Sequence, residues 1–153
     1  MMPKNLDTIS TELLSKRAQL REVQVAHIAR LITLLEEQTC RHFQVDTIEH
    51  VVEDRYDEFM AVQAYEIFVS AAHACGFVTR DGTTHNPLEN YGGSPSEAVA
   101  QLSLSELRQL MHFIVRSERW NDGGWSAILE HLRNGVLQAM ARRLQSDDTL
   151  YAE

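Results

Sequence analysis

The chain has 153 residues, 44% of them apolar, with 14 Lys plus Arg against 22 Asp plus Glu and a net charge of −8. A domain of this size buries a sizeable core without staples, and the composition excludes a disordered tail. The acidic balance excludes a broad, non-specific nucleic-acid binder, which needs cations to displace counterions from phosphates.

The charge is uneven: residues 1–102 carry eight basic and fifteen acidic side chains, and residues 103–153 carry six and seven. Cys40 and Cys75 pair once at most and give no disulfide framework. The start of the chain has no apolar run of signal-peptide type, and no stretch approaches an unbroken membrane-spanning length. The expectation is a cytoplasmic protein with reduced thiols, no membrane partner and no cofactor.

Residues 4–75 hold no Gly or Pro and are rich in Leu, Glu, Ala, Arg and Gln, which favours helix. Leu6, Ile9, Leu13 and Leu20 fall on one helical stripe. Val25, Ile28, Ile32, Leu35 and Phe43 fall on a second, offset from the first near residues 21–24. This reads as one long helix or a helix pair over 5–43, with the single helix preferred. A long amphipathic helix without caps projects or pairs with a copy of itself, so a homodimer through this N-terminal helix is the expected self-association.

Asp46 and Glu49 have capping-box spacing, and Val45, Ile48, Val52 and Tyr56 continue at helical spacing. Met60, Ala64, Ile67, Phe68, Ala71 and Cys75 then mark one face, so middle helices are expected over 47–75. Gly76 followed by Phe77 signals the stop.

Residues 77–102 read as a long loop, with Asp81-Gly82 offering a weak hairpin between 77–79 and 83–85. Ser103 and Glu106 form a second capping box, opening a helix over 103–119 with Leu104, Leu107, Met111, Ile114 and Val115 inward. Asp122 is placed to cap a helix over 124–133 that turns Trp125, Ile128, Leu129 and Leu132 inward. Asn134-Gly135 is a turn pair that breaks the pattern before a last helix over 136–144, and 146–153 read as a frayed tail. The architecture is therefore an all-α, single-domain bundle of five or six helices over 1–145.

The densest group of informative residues is Arg116, Arg119, Trp120, Asp122 and Trp125. A tight corner between two helices accounts for every member, and the alternative is an interaction surface, since Trp and Arg dominate hot spots. The run 104–144 resembles the C-terminal pattern of a family of short, uncharacterised bacterial and phage proteins. The matching positions are Arg116, Glu118, Arg119, Trp120, Asp122, Gly123, Gly135, Arg142, Arg143 and Leu144. The resemblance implies an intact helical module broken at Gly135, and it carries no established activity.

Asp46, Glu49, Glu53, Asp54, Asp57 and Glu58 form an acidic cluster with only Arg55 against it. It reads as a solvated face, or as a surface that steers a basic partner. Arg133, Arg142 and Arg143 are the DNA contacts of a helix-turn-helix reading of the last third, but acids are interleaved with the arginines there.

No metal site is expected. Cys40 with His42, and His73 with Cys75, are spaced by two and point apart on a helix, and His50 with Glu53 supplies too few ligands. His85, near Glu89 and Tyr91, is a candidate general base that nothing pairs with a nucleophile. No catalytic or cofactor-binding residue is therefore assigned. The favoured function is a small accessory or regulatory protein of phage or plasmid type that binds an unidentified protein partner. A DNA-binding regulator is the alternative, with nucleic acid disfavoured as a partner, and an enzyme of unrecognised type is the weakest reading.

Overall fold

The breaker-free N-terminal stretch forms one continuous helix, α1 (Leu6–Phe43), about 57 Å long at the usual rise. The computed structural model describes residues 6–51, 55–78, 85–118 and 126–146, with side chains from Gln24 onward apart from that of Ser146. The change of stripe near residues 21–24 does not interrupt α1. Val25, Ile28, Ile32 and Leu35 of the second stripe are buried in the core, with Phe43 at the helix end. The stripe from Leu6 to Leu20 lies outside the described side chains.

α1 ends in a reversal at Gln44, which adopts φ 56. The Val45 N–H bonds to the Cys40 carbonyl at 3.0 Å and the Gln44 N–H to the Arg41 carbonyl at 3.3 Å. This is the double-bonded helix terminus that glycine usually supplies.

The Asp46–Glu49 capping box does not form. Thr47 is the cap residue of a 3-10 turn, Ile48–His50, and no side chain bonds to the turn's N–H groups. Chain reversal at Gln44 and burial of Ile48 and Val51 shape this stretch as a single tight turn, so there is no α-helical first turn for Asp46 to cap.

The expected middle helices are two: α2 (Tyr56–Met60) and α3 (Gln63–Ala74). Val62, extended at φ −64 and ψ 131, separates them and is buried. α3 borrows its first hydrogen bond from α1, because the Ala64 N–H donates to Gln38 Oε1 at 2.9 Å. It stops where the sequence says: Gly76 has φ 80, its N–H bonds to the His73 carbonyl, and the Phe77 N–H bonds to the Ala72 carbonyl.

The long loop expected over 77–102 is in part helical. It contains a 3-10 turn at Pro87–Asn90, then α4 (Pro95–Ala98), then a 3-10 turn at Val99–Gln101. Asn86 and Ser94 cap the first two through their side chains, and a proline sits in the first turn of each. The prolines that suggested irregular chain, Pro87 and Pro95, are thus helix-start signals. Phe77 and Val78 are buried and form no strand; the rest of the expected hairpin lies outside the described residues, apart from an exposed His85.

α5 (Leu104–Glu118) opens with the expected capping box. The Glu106 N–H donates to Ser103 Oγ at 3.1 Å, and the Ser103 N–H donates to Glu106 Oε1 at 3.1 Å. α6 (Ala127–Arg133) is capped by Ser126, whose Oγ accepts from the Leu129 N–H at 3.1 Å, and not by Asp122, which lies outside the described residues. α6 stops at Asn134-Gly135 as expected, with Gly135 at φ 83. Asn134 Oδ1 accepts from the Val136 N–H at 3.0 Å and starts α7 (Val136–Ser146).

The described residues contain no strand, so the fold is all-α, and no described helix is long and apolar enough to cross a membrane. α2 and α4 are short; α1, α3, α5, α6 and α7 are the expected bundle helices. One apolar cluster runs from Val25 to Leu144 and takes side chains from all five. α1 packs on α3 and α7, and α5 packs on α6.

Candidate functional site

At the 116–125 corner, Arg119, Trp120, Asp122 and Trp125 lie outside the described residues. The two ends of the corner are described, and one carboxylate joins them. Glu118 Oε1 accepts from the Ala127 N–H at 2.7 Å, and Glu118 Oε2 accepts from the Ser126 hydroxyl at 2.7 Å and the Tyr65 hydroxyl at 2.9 Å. Glu118 thus ties the end of α5 to the start of α6 and to α3. Burial, and then the charge of Glu118, push the Tyr65 hydroxyl far above its ordinary pKa, so Tyr65 keeps the proton that it donates to Glu118. Arg116 is partly buried, and its Nε has no hydrogen-bond partner among the described residues.

The acidic cluster separates into parts. Arg55 engages Glu58 through two hydrogen bonds, one of 2.8 Å from Nη2, and lies 4.7 Å over the Phe43 ring. The Arg55 hydrogen bond lowers the Glu58 carboxyl below its ordinary pKa. Asp57 is exposed, and Glu53 and Asp54 lie outside the described residues. Asp46 and Glu49, both exposed, turn toward the other end of the chain.

There they meet two of the expected DNA-contact arginines. A cleft of about 440 Å³ is lined by Glu36 of α1, Asp46, Glu49, Ser96 of α4, Arg133 at the end of α6 and Arg142 of α7. Its volume falls in the range of ligand sites. Arg133 Nη2 donates to the Glu49 carbonyl at 3.4 Å, which joins the 46–49 turn to α6 across 84 residues of sequence. Gln138 also lines the cleft. Its Nε2 donates to the Leu132 carbonyl at 2.7 Å, and its Oε1 is buried with no hydrogen-bond partner among the described residues. Arg143 does not line the cleft; its Nη1 donates to the Val99 carbonyl at 2.8 Å.

The remaining sequence candidates do not converge. His85 Nδ1 stands 4.0 Å from Glu89, and both are exposed. Tyr91 turns instead to Glu106, donating at 2.8 to 2.9 Å, and pins the 87–102 segment to the first turn of α5. The hydrogen bond to Glu106 raises the Tyr91 pKa. Glu106 is lowered in turn, chiefly by the Ser103 N–H and then by Tyr91.

Cys40 and Cys75 are partly buried, and burial raises both thiols, with Glu36 adding to the rise at Cys40 and Arg108 opposing it at Cys75. Among the described residues no three His, Cys, Asp or Glu side chains are placed to hold a metal ion.

Sequence reasoning listed the acids and the arginines as separate patches and left out Glu36, Ser96 and Gln138. No local signal links positions so far apart; helix packing brings them together.

Comparison with curated proteins and with solved structures returns no match. A family model does match, over residues 27–147. It runs from the core-facing part of α1 to the end of α7, and so extends well beyond the C-terminal run that carries the sequence resemblance. The chain belongs to a family of unknown function, DUF6508.

Proposed function

We propose that this is a small accessory or regulatory protein that acts by binding another polypeptide, seated in the cleft between the 46–49 turn and the α6–α7 turn. The observation that carries this reading is the mixture of charge in one groove: Glu36, Asp46 and Glu49 face Arg133 and Arg142. A nucleic-acid surface presents cations to phosphates without anions among them. Side chains of both signs around a groove suit a polypeptide segment that carries both, and they set its register more than its affinity. Within this reading the protein is cytoplasmic and of phage or plasmid type, and the N-terminal stripe Leu6, Ile9, Leu13 and Leu20 is one route to a homodimer.

The test is affinity capture from the native host, with identification of what stays bound at moderate salt. The wild type retains a protein partner, and the double variant Asp46→Lys with Glu49→Lys loses it while keeping its melting temperature. Duplex binding that falls steeply with salt, and that Arg142→Glu removes, overturns the reading in favour of a DNA-binding regulator. Two of that regulator's three arginines, Arg133 and Arg143, already bond to main-chain carbonyls.

A further inference from the structure

The described residues expose three large apolar side chains: Leu34 at 38%, Met60 at 42% and Ile67 at 42%. Two of them share a groove. Met60 and Ile67 line a groove of about 540 Å³ along α2 and α3, together with Glu66. That groove runs into a second, lined by Gln38, Arg41 and His42 of α1, through the shared residues Ala61, Val62 and Gln63. Leu34 lies one helical turn before Gln38, on the same face of α1. Single exposed apolar residues are ordinary, whereas a contiguous group marks a contact surface.

The lining of the two grooves carries Arg41 at one end and Glu66 at the other. Arg41 stands at the α1 end and Glu66 along α3; both are exposed, and no ion pair among the described residues engages either. His42, beside Arg41, lies 3.7 Å from Glu58 and is not the available cation.

We infer that this groove is the contact surface of a two-fold homodimer. A second copy, turned head to tail, sets Met60 and Ile67 against the same residues of the first and brings each Arg41 beside the Glu66 of the other copy. A two-fold interface must be complementary to itself. An apolar centre flanked by one unpaired cation and one unpaired anion meets that condition; an unrelated partner requires no such balance. It also overcomes the general obstacle to self-association in a chain of net charge −8, because the opposed pairs attract where the rest of the surface repels. The inference concerns a different face from the cleft and stands whether or not the cleft takes a polypeptide.

The experiment is sedimentation equilibrium of the full chain over a micromolar-to-millimolar series, with charge-reversal variants. Arg41→Glu alone and Glu66→Arg alone each weaken dimerisation by about tenfold, and the double variant returns to within about threefold of the wild type. Ile67→Lys, at an exposed position, weakens it by about tenfold or more with an unchanged melting temperature. Asp46→Lys with Glu49→Lys leaves it unchanged, which separates this inference from the cleft reading. A chain that stays monomeric throughout overturns the inference. So does a dimer that the charge swap does not rescue, or one lost on Leu13→Glu with Leu20→Glu but indifferent to Ile67→Lys.

Discussion

Glu118 shows how one side chain holds a corner that the sequence marks only by its density of unusual residues. Its two oxygens take three donors: the Tyr65 hydroxyl, the Ser126 hydroxyl and the Ala127 N–H. Hydrogen bonds to a charged group are stronger than neutral ones, and a donor left without its acceptor loses its hydration as well. Glu118→Ala is therefore expected to cost about 3 kcal/mol in urea unfolding, and Tyr65→Phe about 1 kcal/mol. The two share one bond, so the double variant costs less than the sum of the singles. Additive effects would show that Tyr65 and Glu118 do not interact in solution. The family resemblance drew attention to position 118, but Tyr65 lies 53 residues away, on a helix whose other face is core, and nothing near it in sequence announces the bond.

Among the elements, two stretches with the same spacing turned out differently. Ser103 with Glu106 makes both bonds of a capping box, whereas Asp46 with Glu49 makes neither. The first pair opens onto a fifteen-residue amphipathic helix, so the local pattern and the packing agree. The second follows directly on the reversal at Gln44, where Ile48 and Val51 enter the core and leave room for one 3-10 turn only. Local capping chemistry was legible; tertiary demand on the backbone was not. The same holds for 87–101, where Asn86 and Ser94 as caps, with Pro87 and Pro95 behind them, were helix starts read as loop.

The α5 box also carries a pH dependence. The Glu106 carboxyl lies below its ordinary pKa in the fold, mainly through the Ser103 N–H and then through Tyr91. A lowered carboxyl gives stability that is complete above the unfolded carboxylate range and is lost as pH falls through the lower folded value. Glu106→Gln is thus expected to reduce stability at neutral pH and to flatten the acid limb of the curve from pH 5 downward. Thermal melts of both proteins between pH 3 and pH 7 check this, and parallel curves would count against it.

The described residues are held by one continuous apolar cluster, from Val25 in α1 to Leu144 in α7. The sequence made most of it visible, because helical spacing picks out inward positions: Ile28, Ile32, Leu107, Met111, Ile128 and Leu132 were all expected inside and all are buried. The cleft was not visible, since it arises where α1, the 46–49 turn, α4 and the α6–α7 turn meet, and each contributes a residue that is unremarkable alone. The limit of periodicity shows at adjacent positions in α3. Ile67 and Phe68 were both placed on the inner face, yet Phe68 is fully buried and Ile67 is 42% exposed. Consecutive residues differ by about 100° around a helix, so a broad apolar stripe does not say where the core ends. Their truncations should separate accordingly. Phe68→Ala leaves a cavity in the shared cluster and is expected to cost about 3–5 kcal/mol. Ile67→Ala is expected to fall within about 0.5 kcal/mol of the wild type, measured at concentrations where the chain is monomeric. Because the cluster is continuous across five helices, far-UV circular dichroism and scanning calorimetry should report one coincident transition in each variant. Two separate transitions, or equal costs at 67 and 68, would mean that α3 does not pack as described and that the groove beside it is not the surface inferred.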